Sequence, residues 1–178
     1  KTKAMPETAK TTTRLKAILA ASRDLAVAVS GGVDSMTLAV AAARWRAAPV
    51  IAMHAVSPAV PPAATARVRE HAVREGWDLR IIDAGEFANA AYMANPANRC
   101  FFCKTNLYAT MTSLHTGMLA SGTNIDDLGD WRPGLAAAET HGVRNPFVEA
   151  DIDKVGVRSL ARQFGLTGLA ELPGQRPH

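Results

Sequence analysis

The stretch LAVAVSGGVDSM, residues 25–36, constrains this chain more than any other part of it. Its small and β-branched apolar residues make a short continuous strand, Leu25 to Ser30, and Gly31-Gly32 then turns the backbone into a helix from about Asp34 to Trp45. A strand that passes through two glycines into a helix leaves several backbone N–H groups without intrahelical partners, all facing one concavity. Such a concavity suits phosphate. Gly31 and Gly32 let the backbone approach an anion with no Cβ in the way, and the Ser30 and Ser35 hydroxyls add donors. The loop carries no lysine, so it is neither G-x-x-x-x-G-K-[ST] nor the dinucleotide pattern G-x-G-x-x-G. Asp34 repels a phosphate unless a cation lies between them. It reads either as the holder of Mg²⁺ or a substrate group beside pyrophosphate, or as an acid complementing the helix dipole.

Apolar strands and helical patterns alternate along the rest of the chain. A helix is predicted over Thr11 to Ala21, strands over 49–57, 77–83 and 117–123, and a helix opening at Pro62 and ending at Gly76. Further helices are predicted near Glu86 to Met93, from Cys100 to His115, from Pro133 to Gly142, and from an Asp153 cap to Gly165. Strands separated by helices predict a three-layer α/β domain: a doubly wound, Rossmann-like parallel sheet with helices on both faces. In such sheets ligands sit at the carboxyl ends of the strands, which is where Ser30, His54, Asp83 and Thr123 fall.

The 178 residues suffice for one domain that buries about 70% of its unfolded surface. No apolar run approaches the ~20 residues of a membrane span, and the N-terminus lacks the apolar core of a secretory signal, so a cytoplasmic protein without membrane contact is expected. The net charge of +4 is local: residues 1–23 hold six basic side chains and one acid, and the remainder sums to −1. Residues 1–10 are expected to form a flexible basic N-terminus, and the charge argues against nucleic acid as the partner.

Two later stretches carry chemistry. NRCFFCK (98–104) puts Cys100 and Cys103 three residues apart at a helix start, where the dipole and Lys104 lower thiol pKa values. The pair suits redox or sulfur chemistry. Buried thiols, or a structural metal completed by two of His54, His71, His115 and His141, are the alternatives. SGTNIDDLGDWRPG (121–134) ends a strand at Gly122 and Thr123, follows it with Asp126, Asp127 and Asp130, and places Arg132 before a proline-initiated helix. Arg132 can neutralise phosphate and Asp126 can carry Mg²⁺; a capped, turn-rich connection is the plain alternative.

SGGVDS resembles the signature of the PP-loop ATP pyrophosphatases, whose fold is the adenine nucleotide alpha hydrolase-like one. That resemblance implies that Ser30, Gly31, Gly32, Asp34 and Ser35 hold the pyrophosphate of ATP and that Met53, His54 and Ala55 form the adenine edge. The loop, the RCxxCK segment, the GTNxDD segment and a K..VR.LA...GL helix (Lys154 to Leu166) together resemble the ATP-dependent sacrificial sulfur transferases, the LarE family, over roughly residues 12–173. The resemblance implies a PP-loop domain over 11–173. It also implies adenylation of a carboxylate, on a substrate such as a pyridinium mononucleotide, with release of pyrophosphate and attack by sulfur in cofactor biosynthesis. Asp34, Cys100, Cys103 and Lys104 are the implied catalytic residues, with Gly122, Thr123, Asp126 and Arg132 beside the nucleotide. ATP and phosphate-bound Mg²⁺ are the implied cofactors, and a homo-oligomer is compatible with the pattern.

The family pattern continues into a segment with a sulfur-donor cysteine and a C-terminal domain, where residues 174–178 read GQRPH; that domain is expected to be absent. Two cysteines do not by themselves support an iron–sulfur cluster. An NAD synthase-like amide ligase and a non-catalytic adenine-nucleotide-binding module are the competing expectations.

Overall fold

The computed structural model describes residues 6–83, 99–128 and 133–173. Strands β1 (Leu25–Ala28), β2 (Val50–Ala55), β3 (Asp78–Ile82) and β4 (Met118–Ala120) form one four-stranded parallel sheet in the order β3-β2-β1-β4. Helices α1 (Glu7–Ala20), α2 (Val33–Trp45), α3 (Pro62–Glu75), α4 (Arg99–Leu114), α5 (Pro133–Thr140), α6 (Pro146–Glu149), α7 (Lys154–Gln163) and α8 (Thr167–Ala170) connect and follow the strands. Beyond β4, an isolated parallel bridge pairs Ala120 with Arg144.

The period-two alternation of strand side chains divides the core. Leu25, Val27 and Val29 face a cluster built with Leu15 and Leu19 of α1, Met36 and Val40 of α2, Val68 of α3, Phe147 of α6 and Val157 and Leu160 of α7. Ala26 and Ala28 face the opposite cluster, with Met53, Ile82, Leu107, Tyr108, Met111, Leu119 and Ala138. Both faces of β1 are therefore covered, as the unbroken apolar run predicts for a central parallel strand. Among the described residues, no helix is long and apolar enough to cross a membrane.

Most element boundaries shift from the sequence reading by one or two residues, and a few differ by more. Helix α1 begins at Glu7 behind a Pro6 N-cap rather than at Thr11, so residues 7–10, expected to be flexible, are helical. Two of its low-propensity threonines turn their hydroxyls onto backbone carbonyls, Thr11 to Thr8 and Thr13 to Ala9, while Leu15 and Leu19 anchor the helix in the core. β4 stops at Ala120 rather than 123, because Ser121 and Thr123 turn to bond each other. Helices α6 and α8 carry too few residues to show a 3.6 period and were not foreseen. The helix expected at 86–93 lies outside the described residues.

Three arginines fasten the helical layer. Arg46 donates to the carbonyls of Leu19, Ser22 and Arg23, closing the end of α1 onto the start of β1. Arg158 donates to the carbonyls of Ala170 and Leu172. Arg44 grips both carboxylate oxygens of Glu75 at 3.0 and 2.7 Å and the carbonyl of Phe164 at 2.8 Å.

Candidate functional site

The chain reverses its direction of winding between β1 and β4: from β1 the sheet grows one way to β2 and β3, and β4 lies on the other side. The loops that leave the carboxyl ends of these two strands necessarily meet above the crevice, the usual ligand position of open α/β sheets.

They meet at close range. A Cβ at Gly122 would lie 2.5 Å from the Ser35 backbone nitrogen and 2.8 Å from the Asp34 carbonyl carbon, so only glycine lets the β4 loop touch the first turn of α2. The loop after β1 is shaped on its other flank by α3. Gly31 has φ +90°, and a Cβ there would sit 2.9 Å from the Ala64 carbonyl oxygen.

Within the loop the serines work as a frame. The Ser30 N–H donates to Ser35 Oγ at 3.0 Å, the two hydroxyls lie 3.2 Å apart, and the Gly32 N–H donates to Ser30 Oγ at 3.2 Å. Gly32, the N-cap of α2, has no side chain to cap the helix, so the positive end of α2 opens into the crevice.

Asp34 lies in the first turn of α2, and the structure brings Lys154 to it across 120 residues of sequence. The Lys154 ammonium donates to both carboxylate oxygens, at 2.9 and 2.8 Å, and each side chain keeps about a quarter of its surface exposed. Lys154 opens α7. Its backbone N–H donates to Asp126 Oδ2 at 2.9 Å, and Asp153 caps the helix by accepting from Gly156 N–H at 2.8 Å.

Asn124 is 2% exposed and ties the arrangement together. Its carbonyl oxygen accepts from the Asp126 N–H at 2.9 Å, which turns its amide toward Asp34, and its own backbone N–H donates to Asp127 Oδ2 at 3.0 Å. Burial pushes the Asp34 carboxyl above its ordinary range; Lys154 and Asn124 pull it down, Asp127 pushes it up, and the balance is upward.

Several expected site residues are thereby placed. Ser30, Gly31, Gly32, Asp34 and Ser35 form one loop, with Gly122 against it and Thr123 beside Ser121. Asp126 is engaged in starting α7, while Asp127 is the carboxylate whose charge acts on Asp34.

At the end of β2, Met53 is buried and its carbonyl accepts from the Val29 N–H. His54 is 1% exposed, with both ring nitrogens engaged. Nδ1 faces the Val29 carbonyl at 2.8 Å and donates to it, and Nε2 lies 2.9 Å from the Thr65 hydroxyl, within hydrogen-bond distance. The imidazole thus braces the β1 loop against α3, and half-buried Ala55 is the open side chain at this edge.

Cys100, Cys103 and Lys104 fall on the first two turns of α4, and their side chains, like Arg132 as a whole, lie outside the described residues. Among the described residues no three His, Cys, Asp or Glu side chains converge as a metal site. A cavity of about 460 Å³ lies at the other end of β4, among Ser22, His115, Met118, His141 and Arg144; it holds two of the alternative metal-ligand histidines and none of the residues expected around the nucleotide.

Lys154, Asn124 and Asp127 are the residues that the structure brings to Asp34 and that reasoning from sequence did not assign. All three stand in the quoted motifs, but nothing local signals where they point.

Comparison with known proteins supplies the frame. No family model matches the chain. It is 38% identical over 144 residues to an uncharacterised protein of Synechocystis sp., covering 79% of this chain and 54% of that one. It is 23% identical over 149 residues to an uncharacterised protein of Methanocaldococcus jannaschii, covering 82% and 56%. The chain therefore spans about half the length of these curated relatives. A shorter match, 34% identical over 77 residues (41% of this chain and 28% of the other), is to the pyridinium-3,5-bisthiocarboxylic acid mononucleotide synthase of Lactiplantibacillus plantarum.

Among solved structures, the NH3-dependent NAD synthetase of Campylobacter jejuni superposes with a TM-score of 0.69 at 17% identity, over 93% of this chain and 75% of that one. The U34-tRNA thiolase of Methanococcus maripaludis, solved with its [4Fe-4S] cluster, gives 0.66 at 16% identity, over 90% and 64%. The chain has the adenine nucleotide alpha hydrolase-like fold, an α/β architecture with a four-stranded parallel sheet flanked by helices.

Proposed function

We propose that this chain binds ATP in the β1–β4 crevice and transfers AMP to a substrate carboxylate, releasing pyrophosphate, as the preparation for sulfur transfer in cofactor biosynthesis. The observation that carries the reading is the convergence on one point of the open N-terminus of α2, the serine-framed glycine loop and the Asp34–Lys154 pair. The ATP-using superfamily that shares this fold supports the nucleotide, and the partial likeness to a pyridinium bisthiocarboxylate synthase supports the sulfur branch.

In this reading the amides of the Gly31–Gly32 loop and the hydroxyls of Ser30 and Ser35 receive the pyrophosphate half. Lys154 is the cation that the loop itself lacks. Asp34 and Asp127 offer hard carboxylate oxygens of the kind Mg²⁺ takes, so the residues present fit a phosphate-bound Mg²⁺, which would supply neutralisation of the phosphate charge. Asp34 then holds that charge in place beside the loop. The base and ribose lie toward Ala55, with Thr123 and Asp126 on the β4 side.

The chemistry balances simply. A carboxylate oxygen of the substrate attacks the α-phosphorus, the bond from that phosphorus to the bridging oxygen breaks, and pyrophosphate leaves. The acyl adenylate so formed is a competent acyl donor. A thiolate, for which Cys100 and Cys103 of the RCFFCK segment are the candidates within this chain, attacks its carbonyl carbon and AMP leaves.

The test is a product analysis with labelled ATP and pyridinium carboxylates: AMP and pyrophosphate are expected, and ADP with phosphate would overturn the reading. The likeness to an NH3-dependent NAD synthetase favours a second reading, in which ammonia attacks the same acyl adenylate. Cys100→Ser and Cys103→Ser discriminate between the two, since product formation that survives both points to nitrogen. Nucleotide binding without turnover of any carboxylate would leave a binding module.

A further inference from the structure

Arg67 stands in the second turn of α3 and donates from Nη1 to the Gly31 carbonyl at 2.6 Å. Among the described residues that is its one side-chain hydrogen bond, and no carboxylate lies within ion-pair distance of it. Arg67 is half-buried, so its charge is neither neutralised by a described carboxylate nor fully bathed in solvent. A guanidinium held by one N–H keeps its other donors in a fixed plane, the form that suits two oxygens of a phosphate.

Its position fixes which phosphate. The nucleotide loop lies between two cations on opposite flanks. Lys154 comes from the start of α7, which Asp126 ties to the loop after β4, and is already committed to Asp34. Arg67 comes from α3, which packs on the β2 side: the close approach of Ala64 to Gly31 and the His54–Thr65 bond hold the first turns of α3 there. A nucleotide with pyrophosphate in the Gly31–Gly32 loop and its base toward Ala55 crosses that flank with its α-phosphate.

We infer that Arg67 is a ligand of the α-phosphate, the phosphate that remains on the AMP half when pyrophosphate leaves. This rests on the ATP reading above and adds a division of labour to it. Lys154 serves the leaving half, and Arg67 serves the half that is transferred. Charge that builds on the α-phosphate oxygens during attack is then met by a preplaced donor rather than by water.

Titration calorimetry at fixed salt, with AMP, pyrophosphate and Mg-ATP as separate ligands, tests this on the full chain. R67M is expected to weaken AMP and Mg-ATP about tenfold or more while leaving pyrophosphate within about twofold, and K154M to weaken pyrophosphate and spare AMP. R67K, which keeps the charge but not the fork, should fall between wild type and R67M for AMP, with melting curves confirming that both Arg67 variants fold. An AMP affinity unchanged in R67M overturns the inference alone. Equal losses for AMP and pyrophosphate overturn it too, since Arg67 would then only shape the loop through Gly31. A wild-type chain that binds none of the three ligands overturns the ATP reading and this inference together.

Discussion

The two ends of α2 carry two ion pairs that look alike and behave oppositely. At the C-terminal end, Arg44 meets Glu75 with two parallel hydrogen bonds and spends a third donor on the Phe164 carbonyl, while its ring neighbour Phe164 lies 5.3 Å away. The Glu75 bonds hold the guanidinium more firmly charged than usual. At the N-terminal end, Asp34 also has a cation on both oxygens, yet burial outweighs Lys154 and the carboxyl holds its proton to higher pH than usual. Both residues suit the helix dipole in sign. The difference is that the Arg44 end is satisfied and the Asp34 end is not: Asp127 faces it, and the positive helix end beside it lacks a side-chain cap. A satisfied pair fastens a fold. An unsatisfied one is where a ligand has most to offer.

This contrast is breakable by substitution. The largest effect is expected from Asp34→Asn, which should lower AMP-forming turnover about a hundredfold or more, while stability stays within about 1 kcal/mol because a partly desolvated charge has been removed. Measured turnover and a denaturant titration on the same sample check the pair of outcomes. Next is Gly122→Ala, whose methyl would overlap the Ser35 nitrogen. It should cost about 1–3 kcal/mol and weaken Mg-ATP binding as well, since the two loops must part. Arg44→Ala should show the opposite profile to Asp34→Asn, a loss of about 1–3 kcal/mol in chemical denaturation with nucleotide affinity within about twofold, because it leaves the buried Glu75 carboxylate without its partner.

The smallest effect is the pH dependence. A native carboxyl with a raised pKa favours the native state when protonated, so the Asp34 contribution is fully present below the unfolded-state value and is lost as pH rises through the native one. The melting temperature of wild type relative to Asp34→Asn should therefore rise as pH falls from about 7 to about 4. A difference flat across that range would mean that burial does not dominate at Asp34.

What was legible beforehand follows from range. The strand, loop and helix of residues 25–45 are written in contiguous residues, since an apolar run, two glycines and a 3.6-period stretch each act locally. The parallel sheet followed from alternation of such units. The Asp34–Lys154 bond could not be read this way, because charges 120 residues apart leave no periodic trace. Position at the strand edge made His54 a candidate for ligand contact, whereas its ring is consumed by Val29 and Thr65, an arrangement visible only once β1 and α3 are placed. Asp126 and Asp127 are adjacent and chemically identical, and the turn of one short 3-10 helix, Ile125–Leu128, decides that the first starts α7 and the second acts on Asp34.

The same histidine makes the site observable. With Nδ1–H closed onto a carbonyl at 2.8 Å and the ring sealed from solvent, its proton belongs to the slowly exchanging population that nuclear magnetic resonance resolves. Its resonance samples, in a single line, how far the end of β1 and the first turns of α3 stay docked. Titrating nucleotide while watching that line would follow the crevice from inside, with no label added and no residue changed.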